Sequence, residues 1–574
     1  MHLTKEQKDL GTQNFQAVVG HNRREFLLGT LAAGAVTGAG LGAMYFGYTD
    51  KMSNPLRVGI IGTGDEGNVL IGALTPSYVQ VVAIADIRPY NVFRAFHGDH
   101  SSDNTLAVRP GLMSKYDWKT EEEAKKHVKV YDKDYRELIN DKDVEVVIIA
   151  LPLHLHHEAA VYAMKAGKHV LTEKLMAHNI GQCKNMGQVS QETKTILAVG
   201  HQRHYSVLYA NAVDTIKRGI LGDIHHIRAQ WHRDNLPGKD SWQQPLPPPS
   251  GTDLKSKEAK AQYELVSKWQ AWTKKLEEVS GKKIAKEIEA WQKKVAMLEA
   301  QIADQAVKAE DYDYQEMTLQ DGKGTKRSAL EELFRWRLWN RTGGGLMAEL
   351  GSHQLDAASI FISSQRDDGK KVLPLTVTAV GGRHVFPLDR DCEDHVYCSY
   401  EFPGKGFYKD YATQEVADSN KKIVVTYSSI NGNGFGGYGE IVMGTEGTLI
   451  LEKEAEAMLF KGSSTSTAVG VKDAKGGPAL DTTASGDPSA GVAKAALSGP
   501  VSRGYTEEIE HWAWCIRNPD PTHVPRCHPE VALADAVIAL TTNIAIKQRK
   551  QIEFQREWFD LKSPRTPEED LKPA

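Results

Sequence analysis

The 574-residue sequence has little of what marks a metal-binding or nucleic-acid-binding protein. It has only five cysteines, with no C-x-x-C pair and no zinc-type spacing. The net charge is only −4, which favours neither nucleic acid nor an anionic membrane as a partner. A hydrophobic content of 41% is typical of a globular protein, and the length predicts two to four domains.

Residues 56–67 read LRVGIIGTGDEG, an apolar strand that ends in Gly62-x-Gly64-x-x-Gly67. Gly62 allows a tight turn, Gly64 lets a pyrophosphate approach the backbone, and Gly67 lets the next helix pack closely. A second apolar run, 79–86, ends in Asp86, which can bind a ribose diol and would repel a 2′-phosphate. The pattern predicts a dinucleotide site that takes NAD, with NADP less favoured.

Residues 21–46 carry a twin arginine, Arg23-Arg24, followed by a Gly/Ala-rich apolar run without charge. This pattern is typical of a twin-arginine export signal, which predicts a periplasmic location. No clear A-x-A site precedes Thr49, so an uncleaved membrane anchor stays an alternative. We set residues 1–50 apart from the fold. Because an exported enzyme has no free cofactor pool, we expect its nucleotide to be held tightly.

The remaining chain predicts an α/β fold with two parts. In residues 55–202, strands alternate with helices, which indicates a doubly wound parallel sheet. Residues 203–556 contain strand-like runs from 375 onward that alternate with turns, which predicts a mostly antiparallel sheet with one covered face. We expect this second part to carry the substrate site and the contacts of a homo-oligomer.

Two segments break this pattern. Residues 240–333 contain a heptad series on each side of Ser280-Gly281, which predicts an inserted antiparallel helical hairpin joined at the glycine. We expect this arm to pack on a neighbour or to shield the site. Residues 463–500 are rich in Gly, Ser, Ala and Thr and predict a mobile loop.

Polar residues that follow strands or share a helix face are the candidates for chemistry. Glu173 and Lys174 come directly after a strand, where ligands of open parallel sheets bind. Glu349 and His353 are four residues apart and would share one face of a helix. By position alone, a solvated lysine pair and a buried structural histidine remain equal alternatives.

Histidines cluster after Pro152, at His154, His156 and His157. No H-x-x-x-H helix with a third carboxylate is evident, so we predict no metal site. We assign Pro152, His156 and Glu173 instead to the rim of the nucleotide site, because they also lie at or beyond strand ends.

Together these motifs resemble the glucose–fructose oxidoreductase / inositol dehydrogenase / MocA family. The resemblance covers about 55–235 and 335–450, but neither the hairpin nor the 463–500 loop. The motifs are GIIGTGDEG at 59–67, Asp86, LPLHLHHEAAVYAMKAGKHVLTEKL at 151–175, GHQRHY at 200–205 and GGGLMAELGSHQLD at 343–356.

The resemblance implies a Rossmann domain followed by an α/β domain whose open sheet lies behind the active site. It implies that Lys174 is the lysine of the family's Glu-Lys-Pro motif and that His353 faces the substrate. Glu349 stands where many members have aspartate. Leu175 replaces the family proline, so the cis bond often found there is not assured, since a non-proline cis bond costs about 3–4 kcal/mol.

The resemblance implies an oxidoreductase that acts on a carbohydrate or polyol. A hydroxyl would lie between His353 and Lys174; one of them would take its proton while hydride passes to the nicotinamide. Glu349 would orient His353 or bind an adjacent hydroxyl. Two alternatives stay open: a redox-assisted glycosidase or lyase that passes through a transient keto-sugar, and a binding protein without catalysis.

Overall fold

The computed structural model describes residues 3–32, 42–43, 45–49, 52–366, 368–474, 477–482 and 503–572. Its first part is built on a six-stranded parallel sheet in the order β3-β2-β1-β4-β5-β6. The strands are β1 (Leu56–Ile61), β2 (Val79–Ala85), β3 (Lys129–Tyr131), β4 (Val146–Ile149), β5 (His169–Glu173) and β6 (Leu197–Gly200). This is the strand order of a doubly wound nucleotide-binding fold, and it confirms the predicted fold class.

Helices cover both faces of the parallel sheet, which explains why β1 and β4 are almost continuously apolar. The helices of this part are Asp65–Ala73, Pro89–His97, Asp103–Val108, Gly111–Tyr116, Glu121–His127, Tyr135–Asn140, His156–Lys165 and Ile180–Thr193. The strand order reverses direction between β1 and β4, and a crevice at the carboxyl ends of these strands is where ligands bind in such sheets.

The second part is an eight-stranded open sheet that is antiparallel except for one parallel pair, Ile224–Arg233 with Lys422–Asn431. Burial alternates along Lys422–Asn431, as a sheet with one covered face requires. In spatial order the strands are Glu456–Lys461, Gly447–Glu452, Tyr438–Gly444, Ile224–Arg233, Lys422–Asn431, His395–Pro403, Thr376–Gly382 and Ile552–Glu553. The predicted mostly antiparallel sheet is confirmed.

Helices cover the side of the open sheet that faces the parallel sheet. Ser352–Ser363 packs on Ile224–Arg233, and Pro529–Gln548 packs on Thr376–Gly382. The other helices here are Val207–Lys217, Ala329–Phe334, Asn340–Gly343, Tyr505–Arg517 and Pro567–Asp570. Among the described helices, Pro529–Gln548 alone is long and apolar enough to span a membrane, but most of it is buried in the core.

The hairpin inserted between these elements consists of Lys257–Gln262, Glu264–Lys282 and Ala285–Ala303. The chain reverses at Lys283, whose φ is +58°, and not at Gly281, which stays helical. Ala285–Ala303 packs against Pro89–His97 of the first part. The hairpin therefore covers the nucleotide-binding domain of its own chain.

Part of the N-terminal segment that we set apart from the fold packs on the open sheet. Lys5–Ala32 is one helix, and its first half packs on Glu456–Lys461 with Phe15 and Val18 buried. Asn14 Nδ2 donates to the carbonyls of Leu459 and Thr467, both at 3.1 Å. Arg23 and Arg24 lie in the same helix, and their side chains are outside the described part.

The segment 463–500, predicted to be one mobile loop, begins with structure. Gly470–Ala474 and Gly477–Asp481 form a small antiparallel hairpin. Residues 483–502 lie outside the described residues, so the rest of that prediction is not addressed.

Candidate active site

In the glycine turn after β1, two glycines are required because a side chain would collide with backbone, and the third borders open space. Gly62 has φ +86°, and a Cβ there would lie 2.5 Å from the Ala150 carbonyl oxygen. A Cβ on Gly67 would lie 2.1 Å from the Gly62 carbonyl oxygen. A Cβ on Gly64 would meet nothing closer than Asn91 Nδ2 at 3.8 Å. Gly64 therefore leaves open space at the N-terminus of Asp65–Ala73, where a ligand can approach.

Asp86 lies beside this turn, at the end of β2. Its carboxylate accepts hydrogen bonds from the backbone N–H of Thr63 at 2.8 Å and of Arg88 at 2.9 Å. Asn91 Nδ2 lies 3.1 Å from the same group. These donors fix the carboxylate at the rim of the cavity.

The segment after the hairpin closes the far side of this cavity. Asp304 accepts from Arg88 Nε at 2.9 Å and from the backbone N–H of Tyr90 at 3.0 Å, and it has no exposed surface. The Arg88 guanidinium also lies 4.0 Å from the centre of the Phe334 ring. Tyr314 and Phe334 line the same cavity as Gly64 and Asp86. This arrangement accords with the shielding role expected for the arm.

Lys174 lies at the other end of the cavity, directly after β5. The peptide bond between Lys174 and Leu175 is cis, although the second residue is not proline. Lys174 Nζ donates to the Glu349 backbone carbonyl at 2.6 Å and lies 3.6 Å from its carboxylate. Arg337 Nε donates to the same carboxylate at 2.7 Å.

The charge of Glu349 follows from these neighbours. Burial by itself would raise its pKa, but the cationic groups of Arg337, Lys174 and Arg233 outweigh burial and lower the pKa to about 2. Glu349 is therefore a carboxylate at any physiological pH. The Glu349 carboxylate attracts the ammonium of Lys174, which lies 3.6 Å away and can donate a hydrogen bond to a ligand in the cavity.

His353 begins the helix that covers the open sheet. Glu349 lies in the π-turn Met347–Gly351 that precedes this helix, so the two residues do not share a regular α-helical face. Glu349 is hydrogen-bonded to Arg337, and His353 forms no side-chain hydrogen bond with any described residue. The expected contact in which Glu349 orients His353 is thus absent from the described part of the chain.

Aromatic rings surround His353. Its ring centre lies 5.6 Å from that of Trp231 and 6.1 Å from that of His201. Burial, and then the charges of Lys174 and Arg203, lower the pKa of His353 well below its usual value. The imidazole is therefore neutral near pH 7 and available to accept a proton.

Glu173 is buried beside Lys174 and has an unusual charge state. Burial first, and then the nearby Glu66, raise its pKa to about 8. The pKa of Glu66 is also raised, mainly by burial. Glu173 is thus largely protonated at neutral pH.

One cavity of about 980 Å³ joins most of the predicted site residues. Gly67 and His156 do not line it. His156 lies behind the cavity, with Nδ1 2.9 Å from the Leu175 carbonyl and Nε2 2.8 Å from the Leu151 carbonyl, so both ring nitrogens face backbone. The predicted residues that line the cavity are Gly62, Gly64, Asp86, Pro152, Glu173, Lys174, Glu349 and His353.

Behind His353, a buried polar network fixes the Gly200–Tyr205 segment. His204 Nε2 lies 2.9 Å from the carboxylate of Asp356, and Lys371 Nζ lies 3.2 Å from it and also contacts Asp535. His201, Asp356 and Asp535 are close enough together to hold a metal ion. The ammonium of Lys371 already balances these carboxylates.

Several residues of the cavity were missed by the sequence analysis. Arg88 follows Asp86 by two positions, and Arg337 lies between the predicted insertion 240–333 and the motif at 343–356. Trp231 and Arg233 lie two positions apart on one strand and therefore face the same side of the sheet; this spacing was the available signal. No local pattern indicated that Asp304 would meet Arg88, because 216 residues separate them.

Comparison with known proteins agrees with this geometry. Residues 56–201 match the model of a family described as an oxidoreductase family with an NAD-binding Rossmann fold. The match covers the segment that holds the six-stranded parallel sheet. The residues present fit the dinucleotide, because Gly64 leaves room at the helix N-terminus and Asp86 presents a fixed carboxylate.

Curated relatives match part of this chain. Inositol 2-dehydrogenase of Salmonella typhimurium is 32% identical over 170 residues, which are 29% of this chain and 43% of the relative. A glycosyl hydrolase family 109 protein of Solibacter usitatus is 24% identical over 222 residues, covering 37% of this chain and 46% of the relative. The matched segments span less than two thirds of these relatives' length.

Among solved structures, the oxidoreductase domain protein from Kribbella flavida covers 88% of this chain and 100% of its own, with a TM-score of 0.50 and 13% identity. At this level of identity the likeness shows the fold, in which the NAD-binding domain is followed by an open-sheet domain.

Proposed function

We propose that this protein is an NAD-dependent oxidoreductase that oxidises a hydroxyl of a sugar, glycoside or polyol. The observation that carries the proposal is that Lys174 and His353 line the same cavity as the NAD-binding turn. Bound NAD would supply the hydride acceptor. The matching family and the dehydrogenases among the relatives support this chemistry.

The protein's own residues divide the proton transfer. His353, neutral because burial lowers its pKa, accepts the hydroxyl proton of the substrate. Lys174, held by the Glu349 carbonyl and carboxylate, donates a hydrogen bond to the substrate oxygen and stabilises the developing negative charge. Trp231 beside His353 offers an apolar ring face to the sugar and excludes water.

We also propose that the NAD is retained through turnover and that the protein is exported by the twin-arginine route. The buried Asp304–Arg88 ion pair and the Phe334 ring support retention, since they hold the inserted segment against the part of the cavity that contains Asp86. The sequence Arg23-Arg24 followed by an uncharged apolar run supports export. Replacing both arginines by lysine should leave NAD-loaded protein in the cytoplasm, and unchanged delivery to the periplasm would contradict the twin-arginine route.

The direct test uses the purified protein with the nucleotide it retains. Addition of the right sugar or polyol from a panel should convert bound NAD to its reduced form, seen by absorbance. Mass spectrometry of the nucleotide released on denaturation should identify NAD. NADP in its place would contradict the interpretation of Asp86.

A second candidate is a redox-assisted glycosidase or lyase that uses the same residues. The similarity of 37% of this chain to a glycosyl hydrolase family 109 protein supports this second candidate. In this reaction the transient ketone acidifies the neighbouring C–H bond, so that a glycosidic substituent can leave. Release of the aglycone with no net change in the cofactor would select this second function.

A further inference from the structure

Arg233 ends the strand Ile224–Arg233, and its charged group lies near two tryptophan rings. The guanidinium carbon is 5.5 Å from the ring centre of Trp231 and 5.4 Å from that of Trp242. Planar guanidinium groups pack well on aromatic faces, which restricts their orientation. The side chain is therefore held in place without any ion pair.

The hydrogen-bonding capacity of Arg233 is unused within the described part of the chain. Its side chain donates no hydrogen bond there, and no described carboxylate lies within 4.0 Å of it. The nearest acidic groups that act on it are Glu349 and Asp240. Arg337 already binds the first of these at 2.7 Å, and Arg390 binds the second at 2.5 Å.

Arg233 also lines the cavity that contains Lys174 and His353. Around this end of the cavity, three cationic side chains (Lys174, Arg233 and Arg337) face one carboxylate, that of Glu349. Nearby Asp65 is neutralised by Arg94 at 2.6 Å. Around Glu349, the cationic side chains thus outnumber the carboxylate with which they interact.

We propose that Arg233 binds a carboxylate of the substrate, so that the substrate class is a uronic acid or its glycoside and not a neutral sugar. The inference rests on the proposed function. A guanidinium presents a planar pair of donors that matches a carboxylate. Trp231 and Trp242, which hold the guanidinium, add apolar surface beside it for the sugar ring.

Binding by matched ligands tests the proposal without requiring turnover. The probes are methyl hexopyranosiduronates and the corresponding neutral methyl hexopyranosides, of gluco, galacto and manno configuration. Each is titrated into the NAD-loaded protein by calorimetry. The wild-type protein should bind one uronoside at least tenfold more tightly than its neutral partner.

Variants then assign the preference to Arg233. Arg233→Met should abolish the preference for the uronoside, and Arg233→Lys should keep part of it because the charge remains without the planar pair. Arg228→Met is the matched control, since Arg228 lies on the same strand but faces the opposite side of the sheet. The control should retain the wild-type preference, and all three variants should retain NAD.

Equal binding of both ligands by the wild-type protein would overturn the proposal. A preference that survives Arg233→Met, or a stronger preference for hexose 6-phosphates, would overturn it too. Loss of NAD from Arg233→Met alone would also overturn it, since the arginine would then serve the cofactor. Failure of the proposed function looks different: the uronoside binds through Arg233, yet no reduced nicotinamide forms.

Discussion

Asp304 and Arg88 form a buried ion pair between the inserted segment and the NAD-binding domain, with Nε and Oδ2 2.9 Å apart. Arg88 follows Asp86 by two residues. An arginine near this position is the group that accommodates a 2′-phosphate in enzymes that use NADP. Asp304 occupies its guanidinium, so we expect the insertion to contribute to the choice of NAD over NADP.

Replacing Asp304 should therefore change the choice of cofactor. In Asp304→Asn the guanidinium of Arg88 is released, and we expect NADP affinity to rise at least tenfold relative to NAD. Less nucleotide should also remain bound after purification. Both changes are measured by mass spectrometry of the released nucleotide and by titration with each cofactor.

Two further variants control this experiment. Glu289→Gln changes an exposed carboxylate on the same insertion and should have no effect. Because an uncompensated buried charge is destabilising, the double variant Arg88→Met/Asp304→Asn should recover any lost stability but gain no NADP affinity. An unchanged ratio of the two affinities in Asp304→Asn would show that this ion pair does not select the cofactor.

Lys174 and His353 should be required for hydride transfer but not for NAD binding. We expect Lys174→Met and His353→Ala each to lower the rate of reduction of bound NAD about 10²- to 10⁴-fold. His353 accepts the hydroxyl proton, and Lys174 stabilises the negative charge that develops on the substrate oxygen. Stopped-flow absorbance on NAD-loaded protein measures this step. Lys165→Met, at an exposed lysine, should behave as wild type. If both site variants react at the parental rate, the assignment is wrong.

The glycines of the NAD-binding turn should respond differently to the same substitution. Gly67→Ala places a methyl group 2.1 Å from a backbone oxygen and should lower the melting temperature strongly. Gly64→Ala meets no protein atom closer than 3.8 Å and should fold normally, yet bind NAD weakly because the methyl group occupies the pyrophosphate's approach. Melting temperature and NAD content of the two variants separate these effects. If Gly67→Ala and Gly64→Ala have the same melting temperature and lose NAD to the same extent, the two glycines do not have these different roles.

Glu173 should make the stability of the protein depend on pH. Its pKa is raised from 4.5 to about 8, mainly by burial, so the folded state binds a proton that the unfolded state releases in this interval. This contribution to stability is fully present below pH 4.5 and is lost as the pH rises through 8. Glu173→Gln cannot ionise at this position. The difference in melting temperature, variant minus wild type, should therefore increase as the pH rises from 4.5 to 8.

Exposed Glu192 provides the control for Glu173. The melting temperature of Glu192→Gln should follow that of the wild type across the same pH range. A constant difference between Glu173→Gln and wild type would contradict the raised pKa.

Asn14 should contribute to stability although it precedes the twin arginine. Besides its two donated hydrogen bonds, its side-chain oxygen accepts from the backbone N–H of Val469 at 2.9 Å. We expect Asn14→Ala to lower the free energy of unfolding by about 1–3 kcal/mol, because buried backbone groups lose their partners. Chemical denaturation measures the change. Exposed Gln13→Ala is the control, and equal stability of both variants would mean that the helix does not stay docked in solution.

The sequence by itself determined the NAD-binding turn, the alternation of strands and helices in the first part and the heptad hairpin. Each depends on local chemistry: glycines where a side chain would collide, apolar runs where both faces are buried, and a repeat that keeps one helix face apolar. Lys174 and His353 could also be identified as candidates, because each lies in a short sequence motif, at 151–175 and at 343–356, that resembles the family.

Only the tertiary structure decided how distant segments meet. It brought Asp304 to Arg88, Arg337 and Lys174 to Glu349, and the first helix to the edge of the open sheet. It also moved Glu349 away from His353, because a π-turn changes the phase that regular helix spacing assumes. The pairing of charges and the burial of side chains depend on contacts between residues that are far apart in the chain. A pattern within a short stretch of sequence therefore cannot predict them.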